Sequence, residues 1–333
     1  MKIHSFCKKS LGVPFATAFA TLGLVGAAMA ATTPTVSELL NASNAEYLID
    51  AVPAGMHAFT NDGTPVTFVD NANGVVASVF VTAEDQLVIA FQGTTGGLNF
   101  FIDPAAAASQ VITDIGVFLN DAASGVTPPA YRTALTFASS VVALAEAQGF
   151  SKANIFVTGH SLGGIEAEFV AQQTGLGGIG FEPTGLGTKP VAAATGMNFV
   201  NIVTDGDPVG NFSSDIQGEQ PLAPAFVPQG GVAPHYGQIV VLGSPADQAT
   251  LSRTVANADN PLDLPAVLVN TSDLLLEFHL PGVQAHDAGV TLNPSSPLID
   301  ATGNLNGPVF NIANDTIPQL IQQAAAAGRL IQP

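Results

Sequence analysis

The chain has 333 residues, of which 47% are hydrophobic and 10% charged, and it carries a formal net charge of −18. So acidic a chain is a poor partner for nucleic acid or for anionic membrane surfaces. A mean hydropathy of +0.37 excludes a solvated, disordered acidic polymer.

Lys2, Lys8 and Lys9 form a basic start, Leu11 to Gly26 an apolar run, and Ala28-Met29-Ala30 an A-x-A signal before Ala31. This order predicts a signal peptide over residues 1–30 and one catalytic domain over 31–333, secreted or left in a periplasm. Removing the leader takes three of the eight basic residues and none of the 26 acidic ones, for a net charge of −21. Cys7 goes with it, so the mature chain has no disulfide and must rest on its core. No later stretch is apolar for 18 residues, so a soluble chain with no transmembrane segment is expected after cleavage.

In chain order, Val36 to Ile49 has the spacing of a short amphipathic helix. Pro65 to Val69, Val75 to Val81 and Gln86 to Phe91 read as strands, with a hairpin turn at Thr82–Asp85. The last of these leaves through a polar, glycine-rich exit, Gln92-Gly93-Thr94-Thr95-Gly96-Gly97. An apolar cluster, Leu98 to Ile102, follows, and the region around 97–125 is a candidate lid. Val111 to Leu119 and Tyr131 to Gln148 have helical periodicity, with Gly149 as a stop. Asn154 to Thr158, Gly178 to Phe181, Met197 to Val203 and Gln238 to Leu242 read as buried strands, with a helix over Ile165 to Gln173. Ala246 to Pro308 has no clear period, and Thr316 to Leu330 predicts a final helix. Strands alternating with helices imply a mostly parallel central sheet with helices on both faces.

The chemistry concentrates at Gly159-His160-Ser161-Leu162-Gly163-Gly164, a G-x-S-x-G run between a strand and a helix. Such a turn exposes the serine hydroxyl, and the glycines fit where side chains would strike the neighbouring elements. The amide of Leu162, at the helix N-terminus, suits an oxyanion. Thr94, in the loop leaving an early strand, is placed to supply a second amide. A serine hydroxyl needs a base, and the base an acid. Asp207, in Val203-Thr204-Asp205-Gly206-Asp207-Pro208, follows a strand and is the preferred acid, with Asp205 second; the same stretch with Asn211 and Asp215 also reads as a weak calcium site. His286, in a polar setting, is the preferred base. His279 ends an apolar run read as a strand, and His235 precedes another, so both rank behind it.

The elbow, with Phe91-Gln92-Gly93-Thr94 before it and Asp207-Pro208-Val209 after it, resembles the class 3, fungal-lipase-like branch of the α/β-hydrolases. Gln92 stands where that family usually has arginine, and the family's H-x-G-F and H-x-x-Y stretches are missing. The resemblance implies an α/β-hydrolase fold and a Ser161–Asp207–His286 triad with Thr94 and Leu162 as oxyanion donors. It also implies hydrolysis of lipid esters at a lipid–water interface, with no cofactor required. Two other readings remain: an esterase or depolymerase of non-lipid or polymeric esters, and a non-catalytic exported binding protein on the same scaffold.

Overall fold

A computed structural model describes residues 32–48, 50–94, 127–191, 196, 198–213, 215, 234–255, 264–295 and 303–332. The leader, the candidate lid and the helix expected over Val111 to Leu119 lie outside these residues. The described elements fall within one compact unit, Ala31–Pro333.

Helix α1 (Val36–Ala45) begins with a capping box in which the Thr35 hydroxyl accepts from the Glu38 amide and the Glu38 carboxylate takes the Thr35 amide. Such a cap is worth about 1 kcal/mol. Five strands follow, β1 (His57–Ala58), β2 (Thr60–Asn61), β3 (Thr64–Pro65), β4 (Thr67–Asp70) and β5 (Val75–Val81), then β6 (Leu87–Phe91). Helix α2 (Pro129–Ala147) starts on a proline, which suits a first turn, and stops before Gly149, whose φ is 96°. Next come β7 (Ile155–His160), α3 (Leu162–Thr174), β8 (Gly177–Phe181), β9 (Phe199–Thr204) and β10 (Gln238–Leu242). The described residues of the span without a clear period form α4 (Pro245–Val255), α5 (Leu264–Phe278) and α6 (Pro281–Ala288). The final helix α7 (Ile317–Ala327) is shorter than expected, because Gly328 ends it in a left-handed turn and Leu330–Ile331 forms β11.

β6, β7, β8, β9 and β10 are parallel neighbours in a nine-stranded sheet. Antiparallel β5 flanks them at one side and antiparallel β11 at the other. Every residue of β6 to β9 is buried, as parallel strands covered on both faces should be. Alternation along β6 shows the two layers. Leu87, Ile89 and Phe91 pack with Tyr131, Ala134 and Phe169 of α2 and α3, while Val88 and Ala90 pack with Leu39 of α1, Ala285 of α6 and Leu320 of α7. The molecule is thus a mixed α/β structure with a large, mostly parallel central sheet and helices on both faces. Burying side chains such as Phe91 and Phe181 contributes about 2–3 kcal/mol each.

The parallel register sets which loops can meet. Phe91 pairs with Gly159, His160 with Phe181, and Phe181 with Ile202. The carboxyl ends of β6, β7, β8 and β9 therefore lie side by side, where open α/β sheets gather their reactive groups.

Candidate active site

Ser161 joins β7 to α3 at φ 59° and ψ −127°, a strained conformation for a residue with a side chain. The surroundings hold it there: its amide donates to the Phe181 carbonyl at 2.8 Å, and its carbonyl accepts from the Ile165 amide at 3.0 Å. The glycines are required by close approach. A Cβ on Gly159 would overlap the Gly163 carbonyl, and one on Gly163 the Phe91 carbonyl; one on Gly164 would lie 2.9 Å from the Phe181 carbonyl oxygen.

The hydroxyl meets His279. Ser161 Oγ lies 2.7 Å from His279 Nε2, and His279 Nδ1 lies 3.0 Å from Asp207 Oδ2. The nitrogen facing the carboxylate carries the proton, leaving Nε2 to accept the serine O–H. Asp207 follows β9 as expected. Its two oxygens also accept the Val209 amide at 3.1 Å and the Gly210 amide at 2.9 Å. Burial pushes the Asp207 carboxyl up, but the adjacent His279 and the hydrogen bonds it receives outweigh this and hold it below the usual range.

The expectation of His286 is corrected. His286 lies on α6 and its Nδ1 pairs with the neighbouring Asp287 at 2.9 Å. His279 does not end a strand; it caps α5, with its amide donating to the Leu275 carbonyl at 3.1 Å. Phe278, one residue earlier, packs on Gly206, where a Cβ would sit 3.0 Å from its ring. Leu251, Leu274 and Phe278 form a small apolar cluster joining α4 to α5. The Gly206 amide donates to Gln248 of α4 at 2.9 Å. This packing carries the imidazole to the loop bearing the carboxylate. His235 instead pairs with Asp215 at 2.9 Å, and its Nε2 donates to the Pro183 carbonyl at 3.1 Å. Asp205 stays beside β10, its amide on the Leu242 carbonyl at 3.0 Å.

Three further residues hold His279. Its carbonyl lies 2.7 Å from His160 Nε2 and 3.1 Å from Gln284 Nε2, both of which donate to it. His160 Nδ1 must then accept, and the Tyr47 hydroxyl 2.6 Å away donates to it. Burial, helped by His279, drives the His160 imidazole down to about 3, so it is neutral. Of these, only His160 belongs to a motif visible in the sequence; Tyr47 and Gln284 are brought in by α1 and α6.

Leu162 is the first residue of α3, so its amide is among the free ones at the helix start, beside the Ser161 hydroxyl. Thr94 leaves β6 next to the elbow, since Gly163 backs directly onto Phe91 and Gln92. Gln92 itself turns to the Glu46 carbonyl, to which its amide donates. Among the described residues no group of three or more His, Cys, Asp or Glu is placed to hold a metal ion. Nor is any described helix long and apolar enough to cross a membrane.

No family model and no curated protein matches the chain. Among solved structures, the crystal structure of the extracellular lipase LipA from Serratia marcescens is similar at 22% identity and a TM-score of 0.33. That similarity spans 48% of this chain and 29% of the lipase, so less than a third of the lipase's length is matched.

Proposed function

We propose that the chain is a serine carboxylic-ester hydrolase of the α/β-hydrolase type, acting on acylglycerols or similar lipid esters. One observation carries the reading: a hydroxyl on a strained, glycine-walled turn is joined through an imidazole to a buried carboxylate. A hydroxyl held this way is an activated nucleophile. Ser161 Oγ attacks the ester carbonyl while His279 Nε2 takes its proton. Asp207 stabilises the imidazolium, and the amides of Leu162 and Thr94 receive the oxyanion, each worth about 3 kcal/mol in the transition state. The imidazolium then protonates the departing alcohol, and water, activated by the same imidazole, releases the acyl group. No cofactor enters this sequence. Lipid esters rather than soluble ones are favoured by the resemblance of the elbow and its flanks to the class 3 lipases. Export is favoured by the leader pattern ending at Ala30.

Purified protein assayed on triglyceride emulsions and on short soluble esters tests the reading. Hydrolysis of both, lost by about 10⁴-fold or more in Ser161→Ala, is the expected result. Activity confined to soluble or polymeric esters would replace the lipase by an esterase or depolymerase. Wild type inert on every ester and unlabelled by a fluorophosphonate would leave a binding protein.

A further inference from the structure

We propose that Glu182 is a positioning residue for the acid of this site: as a neutral carboxylic acid it donates a hydrogen bond to the Asp207 carboxylate. The chain of contacts then runs Ser161, His279, Asp207, Glu182. The inference rests on the ester-hydrolase reading for its kinetics but not for its protonation state.

Glu182 is the first residue beyond β8, the strand between those that carry Ser161 and Asp207. It adopts a φ of 52°, which costs a residue with a side chain about 1–3 kcal/mol unless the surroundings impose it. The surroundings do: its amide donates to the Ile202 carbonyl at 2.9 Å, and its two oxygens lie 2.9 and 3.2 Å from the Thr204 amide. The side chain is fully buried, and its carboxyl faces that of Asp207 across the space beside Gly210. Gly210 leaves the room for this contact. A Cβ there would overlap Glu182 Oε2 and lie 3.2 Å from Asp207 Oδ2.

Two carboxylates cannot share a hydrogen bond without a proton between them. Asp207 already accepts N–H groups from Val209, Gly210 and His279, which favour its charged form. Glu182 is buried and faces that charge, and both raise its affinity for the proton. His279 lies behind Asp207, and His235 hydrogen-bonds the carbonyl of Pro183, the next residue. The proton therefore belongs to Glu182, which fixes the plane of the Asp207 carboxylate and draws part of its charge away from His279.

Two measurements test this. Infrared difference spectra of wild type against Glu182→Gln at neutral pH should show the loss of a protonated-carboxyl carbonyl band. Glu46, which burial pushes up to about 8, is controlled by Glu46→Gln. Kinetically, Glu182→Gln keeps an amide donor and should hold kcat within about threefold, whereas Glu182→Ala should lose about 10- to 100-fold in kcat with KM little changed. No lost band, or Gln as damaging as Ala, overturns the proposal. If Ala fails to fold, the band and the Gln variant decide. If wild type hydrolyses no ester, the band alone decides, and the functional reading falls separately.

Discussion

The elbow Gly159–Gly164 and the helical segment Leu264–Ala288 meet at two hydrogen bonds, Ser161 to the His279 imidazole and His160 to the His279 carbonyl, yet they hold their side chains by different means. Ser161 is fixed by backbone: a positive φ, amide contacts to β8, and glycines against which carbonyls press directly. His279 is fixed by separate side-chain contacts: Phe278, beside it, packs on Gly206, and His160 of the elbow and Gln284 of α6 donate to its carbonyl. Backbone interlock gives a position that either exists or does not, because interiors are close-packed and carbonyls cannot yield. Separate side-chain contacts give a position that degrades in steps. Ser161 is therefore rigid by construction, and His279 is tuned.

Substitutions can break or sharpen that contrast. The largest effect falls on the elbow. Gly163→Ala places a methyl on the Phe91 carbonyl and should destabilise the fold by about 2–3 kcal/mol or more, read as a drop in the denaturation midpoint, with activity lost alongside. A variant as stable and active as wild type would mean that the elbow is not interlocked. A smaller effect is expected around His279. Tyr47→Phe removes the donor to His160 Nδ1 and should lower kcat/KM by only about 3- to 10-fold with the fold intact. Complete inactivation there would erase the distinction between the two regions.

The same contrast explains what is legible in the chain itself. Strands β5 and β10 have the bounds that their β-branched runs suggest, and β6 to β9 differ only at their ends. Ser161 is legible because strand, glycines and helix are all local to it, and Asp207 because it follows a strand directly. His279 is not. Leu274-Leu275-Leu276-Glu277-Phe278 has the composition of a buried strand but belongs to a helix, in which Leu274 and Phe278, one turn apart, are buried while Leu276 is 64% exposed. That four-residue spacing is the available signal. His286 has a polar loop's composition but lies on a short helix, committed to Asp287. Glu182 leaves no trace, since Phe181-Glu182-Pro183 reads as an ordinary strand exit; only the pairing of β8 with β9 brings it to Asp207.

Which imidazole serves Ser161 decides the chemistry, and the rate of Ser161 labelling by a fluorophosphonate measures this directly. His279→Ala should slow labelling by about 10⁴-fold, while His286→Ala, which removes a contact outside the site, should stay within about threefold of wild type. The reverse order, with His286→Ala silent and His279→Ala labelled at the wild-type rate, would contradict it.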